Sequence, residues 1–295
     1  MTTIQSEAER LSGFSPLLSI VLPVYNASGK VESTINNLES SMRDLESMVF
    51  GFTNSEYGPV QKSIDDEQSG FSGKSRQAWG AESDWYEIIV VNDGSRDDTG
   101  EVIDKVASHD SKVRTISYDT NMGKGYAIKR GIMQSLGSYV IFMDGDGEID
   151  AGVLASYLRS LQDADIVIAS KYHPDSIVSV PKSRRFLSRC FNIFVKALVH
   201  LGVSDTQVGL KAGRGEAFRR IFDSVLVKRY AFDVEMLAVA QLLHLKVVEM
   251  PVKIQLDAQF KKKEIARMFL DVLGIVYRLR LSKHYQNNVQ VAATK

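Results

Sequence analysis

The chain has 295 residues, enough for one large α/β domain or two smaller ones. Its 36 Lys and Arg residues balance its 36 Asp and Glu residues, so its charge gives no reason to expect a nucleic-acid partner. Cys190 is the single cysteine, which excludes an internal disulfide and a Cys-rich zinc site and favours a reducing compartment. We expect no signal peptide and no transmembrane helix, because the N-terminus lacks an apolar core and no apolar run reaches about 18 residues.

The first part of the chain predicts a tail, a strand, a helix and an insertion. Residues 1–15 are polar and are expected to form a flexible tail. Residues 17–26, LLSIVLPVYN, are a continuous apolar run, typical of a strand buried on both faces of a parallel sheet. Apolar residues recur every three or four positions over 28–48, which predicts a helix. The stretch 49–84 is rich in Gly, Ser, Gln and Asp and is interpreted as an inserted loop.

After the insertion, predicted strands alternate with predicted helices. Residues 85–99 are interpreted as a strand that leads through an acidic loop into a helix. Further strands are predicted at 112–118, 138–144 and 164–170, and further helices at the end of 121–135 and over 150–161. This alternation predicts an α/β fold with a doubly wound, mostly parallel sheet and helices on both faces.

Three predicted strand ends carry polar residues, namely 23–26 (PVYN), 92–95 (NDGS) and 144–146 (DGD). Parallel strands place their carboxyl ends at one edge of the sheet, where ligands bind, so we expect these residues to converge on one site. The first strand is followed by YNASGK rather than by G-x-G-x-x-G, which argues against a nicotinamide-dependent enzyme.

The acidic loop at 142–150, FMDGDGEID, suits a metal ion. Asp144 and Asp146 are two residues apart in an extended segment, so both carboxylates can reach one ligand. Such hard oxygen ligands suit Mg²⁺ or Mn²⁺ bound together with substrate phosphates. A solvated turn is the plain alternative. A calcium-binding EF-hand loop is excluded, because Ile149 stands where that loop needs glycine and Ala155 where it needs glutamate.

Six ordered motifs resemble one enzyme family. They are SIVLPVYN, EIIVVNDGSRDDT, NMGKGYAIKRGI, VIFMDGDGE, SDTQVGLK, and YAFDVEMLAVA followed by VVEMPV. In this order they resemble the family 2 glycosyltransferases with the GT-A (Rossmann-like) fold, and more closely the dolichyl-phosphate or polyprenyl-phosphate glucosyl- and mannosyltransferases. The resemblance covers 17–255 apart from the insertion, and it implies a catalytic domain at 16–255.

The resemblance implies a donor site for a sugar nucleotide. Pro23 and Tyr25 would line the nucleotide pocket, Asp93 would read the base, and Lys124 would lie near the phosphates. The metal, Mg²⁺ or Mn²⁺, would be bound by the DxD motif and its neighbour, with Asp146 the direct ligand: Asp144, Asp146 and Glu148. Asp93 as a plain turn residue or helix cap is the alternative.

The resemblance also implies an acceptor site for dolichyl or polyprenyl phosphate. Lys171, where many relatives have arginine, would contact phosphate, and the arginines of the following helix would bind the acceptor phosphate: Arg184, Arg185 and Arg189. The DTQ motif, Asp205–Thr206–Gln207, would lie beside the reacting sugar. The alternatives are a solvated helix face for the arginines and a helix cap for Asp205. For Asp233 and Glu235, a site role and a helix-dipole role are both open.

An isoprenoid acceptor implies contact with a membrane. Residues 256–285 are predicted to form a basic amphipathic helical segment, with seven Lys and Arg against two acids over 261–285, a net charge of about +5. Its apolar stripe comprises Ile265, Met268, Phe269, Val272, Leu273, Val276 and Leu279. The stripe fits a lipid surface or the body of the protein equally well. We expect a peripheral protein at the cytoplasmic face of a membrane, and the sequence leaves a homo-oligomer open.

The implied reaction is an inverting hexose transfer from UDP-glucose or GDP-mannose, with UDP-glucose slightly favoured. The lipid phosphate is already an anion at neutral pH, so no strong general base is needed. Two alternatives stay open: a family 2 enzyme with a glycan or protein acceptor, and a non-catalytic sugar-nucleotide-binding protein.

Overall fold

The structure is a computed structural model that describes residues 16–50, 85–145, 151–255 and 262–286. The predicted tail, all but the first two residues of the predicted insertion, and the predicted metal ligands Asp146 and Glu148 lie outside these ranges.

A seven-stranded sheet forms the centre of the molecule. Its order is β3-β2-β1-β4-β7-β5-β8, and β7 runs antiparallel to both of its neighbours. The strands are β1 (Leu18–Val24), β2 (Tyr86–Asp93), β3 (Val113–Tyr118), β4 (Tyr139–Phe142), β5 (Ile166–Ala169), β7 (Lys211–Arg214) and β8 (Val247–Met250). Two short parallel strands, β6 (Ile177–Ser179) and β9 (Lys253–Gln255), form a separate pair. The prediction of a doubly wound, mostly parallel sheet is confirmed.

Helices cover both faces of the sheet. They are α1 (Val31–Phe50), α2 (Thr99–His109), α3 (Lys124–Gln134), α4 (Leu154–Ser160), α5 (Lys182–Val199), α6 (Gly215–Ser224), α7 (Phe232–Leu242) and α8 (Lys262–Val276). Helix α1 includes the first two residues of the predicted insertion, 49–84. That predicted boundary was early, because Val49 continues the four-residue spacing from Leu45.

Successive side chains of β1 enter opposite core layers. Val21 packs in one apolar cluster, which also receives side chains of α3, α6, α7 and α8. Leu18, Ile20 and Leu22 pack in the other, with side chains of α1 and α4. A strand with a core on both faces has no solvent side, which explains why LLSIVLPV lacks the apolar–polar alternation of a half-exposed strand.

Hydrogen bonds lock the loops at the carboxyl ends of β1 and β2 together. The Asn26 amide N–H donates to Ser95 Oγ at 3.0 Å, and the Arg96 N–H donates to Asn26 Oδ1 at 2.9 Å. The Ala27 N–H donates to Thr99 Oγ1 at 2.8 Å. These bonds join segments about 70 residues apart in the chain, so the two loops form one rigid rim of the sheet.

The C-terminal segment packs on the protein. Helix α8 lies against α5, and the ring of Phe269 is 4.8 Å from that of Phe194, centroid to centroid. Met268 and Val272 of the predicted apolar stripe are buried in the main core. Of the two predicted partners of the apolar stripe, lipid or protein, Met268 and Val272 contact protein. A second row of apolar side chains on the segment is exposed: Leu270, Leu273, Tyr277 and Leu281.

Within the described ranges, no helix combines the length and the apolar character needed to cross a membrane.

Candidate active site

Three lysine–aspartate ion pairs lie at the edge of the sheet where the parallel strands end. Asp144 follows β4 by two residues, Lys171 follows β5 by two residues, and Lys211 opens the antiparallel strand β7 in register with Phe142 and Ile168. The pairs are Lys124–Asp144, Lys171–Asp205 at 2.8 Å and Lys211–Asp233 at 2.6 Å. Of the three polar strand ends predicted to converge, 144–146 contributes Asp144 to this row of ion pairs.

Lys124 and Asp144 form the first pair, on the donor side of the site predicted from the sequence. Lys124 is the first residue of α3 and follows Gly123, whose φ of 103° is unfavourable for any other residue. A side chain at Gly123 would also collide with the Lys228 carbonyl, which comes from the loop before α7. The Asp144 carboxylate packs directly against Gly209, where a Cβ atom would displace it. Both glycines are therefore needed for this pair to form.

Asp93 is buried at the end of β2 and holds the loop that precedes Lys124. Its carboxylate accepts hydrogen bonds from the Tyr118 hydroxyl (2.9 Å), the Asn121 side-chain amide (3.0 Å) and the backbone N–H groups of Met122 (2.8 Å) and Gly123 (2.9 Å). The alternative of a helix cap is wrong, because α2 begins at Thr99 after Asp98. The predicted contact with a base stays a prediction; the structure assigns Asp93 the task of shaping the 121–123 loop.

Pro23 lies beside the Asp144–Gly145 turn, and Tyr25 follows the end of β1. A Cβ atom at Gly145 would lie 2.7 Å from the Val24 side chain and 3.0 Å from the Pro23 carbonyl oxygen. The pairing between β1 and β4 ends at Val21, so β1 no longer pairs with β4 where it reaches Pro23. Pro23, which has no backbone N–H, is therefore tolerated there. The Tyr25 side chain is 46% exposed and available to a ligand.

Lys171 and Asp205 form the second pair, which is more enclosed. The Asp205 carboxylate accepts hydrogen bonds from the Lys171 backbone N–H (2.9 Å), the Lys171 ammonium group (3.0 Å) and the Gln207 N–H (3.1 Å). Residues 201–210 are a loop, so the alternative that Asp205 caps a helix is wrong. Beside it, Thr206 Oγ1 and Gln207 Nε2 are buried without a hydrogen-bond partner.

Lys211 and Asp233 form the third pair, which is fully buried. A site role for Asp233 was one of two predicted possibilities, whereas Lys211 was not predicted. Burial lowers the pKa of Lys211, while the nearby Asp233 carboxylate opposes that shift. Burial raises the pKa of Asp233, while Lys211 and then Lys124 oppose it. The interpretation of Asp233 as a helix-dipole partner alone is therefore insufficient. In the sequence, the lysine inside the apolar segment VGLKAG could have indicated that a buried ion pair forms here.

The predicted phosphate-binding arginines lie on α5. Arg185 and Arg189 are exposed and one helical turn apart, on one face of the helix. Arg184 belongs to the same helix, about 100° around the axis from Arg185, and the role of its side chain stays a prediction. Exposure of Arg185 and Arg189 is compatible with phosphate binding and with a solvated face.

The described part of the site offers oxygen chemistry for a divalent cation. Asp144 presents a partly exposed carboxylate, a hard ligand of the kind that Mg²⁺ and Mn²⁺ prefer. Across the described ranges, no three His, Cys, Asp or Glu side chains are placed to hold a metal together. Asp144 therefore fits such an ion as one ligand, and Asp146 and Glu148 as further ligands stay a prediction.

The sheet order and the edge site define a GT-A glycosyltransferase fold. Glucosyl-3-phosphoglycerate synthase from Mycobacterium tuberculosis, solved with Mn²⁺, UDP-glucose and phosphoglyceric acid, has a TM-score of 0.56 and 17% identity. That alignment covers 93% of this chain and 83% of the synthase chain.

The sequence comparisons give the family. The model of glycosyl transferase family 2 matches residues 76–222. The human dolichyl-phosphate beta-glucosyltransferase is 34% identical over 238 residues, which are 77% of this chain and 72% of that protein. The chain belongs to glycosyltransferase family 2. It is also similar to dolichyl-phosphate beta-glucosyltransferase ALG5C of Trichomonas vaginalis, 33% identical over 66% of this chain, and to the Dictyostelium discoideum enzyme, 37% identical over 57%. Those matches span 61% and 54% of these two relatives.

Proposed function

We propose that the chain is an inverting hexosyltransferase that moves a sugar from a sugar nucleotide to dolichyl or polyprenyl phosphate. The observation that carries the proposal is the row of Lys–Asp pairs at one sheet edge, next to the arginine-bearing helix α5. Such a site can hold two anionic substrates side by side, which is the main task when the nucleophile is already an anion. The similarity to dolichyl-phosphate beta-glucosyltransferases supports the same reaction.

On the donor side, Pro23, Tyr25 and the loop shaped by Asp93 would bind the nucleotide. Lys124 would donate to the diphosphate, since its ammonium group already meets a carboxylate at that point. Asp144 would hold a divalent cation, with Asp146 and Glu148 as its proposed further ligands. When bound, such a cation would stabilise the charge of the departing diphosphate.

On the acceptor side, Arg185 and Arg189 would bind the lipid phosphate through charge-assisted hydrogen bonds, together with Arg184. Asp205 is occupied by Lys171, so it would orient the lysine and the loop rather than act as a strong base. The unpartnered Thr206 hydroxyl and Gln207 amide group are suited to sugar hydroxyls, because a buried polar group without a partner costs about 1–3 kcal/mol.

UDP-glucose is the proposed donor. The curated relatives are named as glucosyltransferases, and the aligned solved structure contains UDP-glucose. Calorimetric titration with UDP and GDP in the presence of Mn²⁺ tests this choice. Tighter binding of GDP would overturn the sugar assignment and leave the transfer reaction standing.

We also propose that the chain rests on a membrane surface through α5 and the C-terminal segment, which pack together. Both expose large apolar side chains, among them Phe186 and Leu281 with exposed fractions of 70% and 75%. Exposed apolar groups flanked by Lys and Arg suit an anionic lipid surface.

Sedimentation with phosphatidylserine-containing vesicles tests the membrane proposal. Phe186→Asp combined with Leu281→Asp should reduce the bound fraction, whereas Met133→Asp on α3, also at an exposed apolar residue, should not. Equal loss in all variants, or no binding of the wild type, would refute the proposed surface. The cytoplasmic location and the oligomeric state stay predictions.

The transfer itself is tested by incubating the protein with labelled UDP-glucose or GDP-mannose, Mn²⁺ and dolichyl phosphate, and counting label in the organic phase. Label that enters only glycan or protein acceptors would favour the rival transferase, and nucleotide binding without turnover would favour a non-catalytic protein.

A further inference from the structure

Glu249 forms hydrogen bonds with the turn that carries Asp205. It is the third residue of β8, and its two carboxylate oxygens accept three hydrogen bonds from that turn. The Ser204 backbone N–H donates to Oε2 at 2.9 Å. The Ser204 hydroxyl and the Asp205 N–H donate to Oε1 at 2.5 Å and 3.1 Å. Hydrogen bonds to an ionised carboxylate are about twice as strong as those between neutral groups, so Glu249 holds the Ser204–Asp205 turn firmly against β8.

Two other elements meet the same serine. The Asn192 side-chain amide of α5 donates to the Ser204 carbonyl oxygen at 2.5 Å. The Ser170 hydroxyl lies 2.9 Å from the Ser204 hydroxyl, and Ser170 precedes Lys171 in the chain. Ser204 thus joins β8, α5 and the end of β5.

The connection to α5 reaches the arginine face. Asn192 follows Arg189 by three residues and Arg185 by seven, spacings that place all three on one side of the helix. Ser204 therefore links the helix that carries these arginines to the Lys171–Asp205 pair. Glu249 contacts neither the arginines nor Lys171 through any hydrogen bond of the described residues; it acts through the turn.

We propose that Glu249 is a positioning residue for the acceptor side of the transfer reaction. By holding Ser204, it fixes Asp205 and Lys171 relative to the arginine face of α5, and so aligns the acceptor phosphate with the reacting sugar. The inference rests on the proposed lipid-phosphate transfer. A role confined to strand stability would affect both substrates alike.

Glu249→Gln is the direct test. The variant keeps the length of the side chain but has one acceptor oxygen, so its NH₂ group must face an N–H group of the turn. We expect kcat/KM for dolichyl phosphate to fall about 10- to 100-fold, because small misplacements of catalytic groups carry losses of that size. The affinity for UDP and the KM of the sugar nucleotide should stay within about twofold. Glu216→Gln, an identical change at an exposed residue of α6, should match the wild type.

Asn192→Ala keeps the proposal testable if Glu249→Gln folds poorly. It removes only the tie to α5 and should reproduce the acceptor defect with unchanged UDP binding. Ser204→Ala combined with Glu249→Gln should lose less than the product of the two single losses, because both changes act on one contact. Wild-type activity in Glu249→Gln, or equal losses toward donor and acceptor in both Glu249→Gln and Asn192→Ala, would overturn the inference. If the wild type transferred nothing to dolichyl phosphate, the proposed function would fail first and this inference with it.

Discussion

At the scale of individual residues, lysine side chains balance the negative charge of the aspartates in the site. Asp144, Asp205 and Asp233 each have a lysine partner. Without these lysines, the negative charges of the carboxylates would repel one another. Lys124 and Lys171 are partly accessible, and we propose that each exchanges its carboxylate partner for a phosphate oxygen when substrates bind. Lys211 is buried and supports the structure of the site.

Asp144→Asn tests the proposed metal ligand. The amide is a poor ligand for Mg²⁺ or Mn²⁺, so turnover should fall about 100-fold or more, the size of loss seen when one group that stabilises transition-state charge is removed. In EDTA, UDP should bind the variant at least as well as the wild type, because Lys124 has lost its competing anion. Transfer of label from UDP-glucose to dolichyl phosphate measures turnover, and a calorimetric titration with UDP, with and without Mn²⁺, measures the affinity. Unchanged stimulation by Mn²⁺ in the variant would exclude Asp144 as a ligand.

Lys211→Met tests the buried pair. Asp233 would be left as an unpaired buried carboxylate, which costs about 3–5 kcal/mol of unfolding free energy. Burial already raises the pKa of Asp233, and loss of Lys211 raises it further. The folded variant favours the protonated form of Asp233. Its loss of unfolding free energy relative to the wild type should therefore be smallest at a pH below the Asp233 pKa of the unfolded chain, and should grow as the pH rises through the Asp233 pKa of the folded protein.

Urea unfolding of both proteins across acid to neutral pH measures this deficit. Lys211→Met combined with Asp233→Leu is the control, because it removes both charges and should recover most of the loss. A deficit that is independent of pH, or one that grows in acid, would contradict the assignment of a charged pair.

At the scale of elements, two helices carry most of the proposed specificity. Helix α5 presents arginines on one face and apolar residues such as Phe186 and Ile193 on another, about 80–100° around the axis from Arg185. It can therefore meet a phosphate and its lipid chain from neighbouring faces. Helix α8 packs on α5 and supplies more of the apolar surface.

Arg185→Ala with Arg189→Ala should weaken the use of lipid phosphate. Each well-formed contact between arginine and phosphate contributes about 1.5–3 kcal/mol, so the double variant should show a large rise in KM for dolichyl phosphate. UDP affinity should be unchanged. Lys196→Ala, another exposed cation on the same face of α5, is the matched control. A drop in donor affinity instead would assign the arginines to the nucleotide.

A buried glutamate ties the C-terminal segment to the core. Glu235 of α7 accepts hydrogen bonds from the Arg278 guanidinium (3.0 Å) and the Tyr285 hydroxyl. Its other oxygen accepts from the N–H groups of Leu226 (2.9 Å) and Val227 (2.6 Å). The interpretation as a helix-dipole partner is again insufficient, because this carboxylate joins three parts of the chain.

Arg278→Ala should lower the unfolding free energy by about 3 kcal/mol, since it leaves the buried Glu235 carboxylate without its cation. Arg267→Ala breaks an ion pair with Glu264 within α8 and should lower the unfolding free energy by less than about 1 kcal/mol. Urea unfolding compares them. Similar small losses in both would show that Glu235 needs no cation.

At the scale of the whole molecule, the sequence predicted the first five strands and the edge at which they end. Continuous apolar runs such as LLSIVLPV identify strands buried on both faces, and Asp144, Lys171 and Asp205 are found at the edge where those strands end. Local pattern sufficed there, because a strand and the residues just after it are contiguous in the chain.

The partners could not be predicted in the same way. Strand β7 enters the sheet antiparallel between β4 and β5, although its sequence, KAGR, has no strand pattern. Lys211 meets Asp233, and Glu249 meets Ser204 across 45 residues of chain. Such contacts depend on tertiary packing rather than on periodicity, so a single sequence leaves them unassigned.

The most direct test of the proposed transfer compares two acceptors that differ by one group. Purified protein, labelled UDP-glucose and Mn²⁺ are incubated with dolichyl phosphate or with dolichol, and label is measured in the organic phase. We expect glucosylated lipid from dolichyl phosphate, none from dolichol, and none from dolichyl phosphate in EDTA. Equal transfer to dolichol, or no transfer to dolichyl phosphate from either UDP-glucose or GDP-mannose, would contradict it.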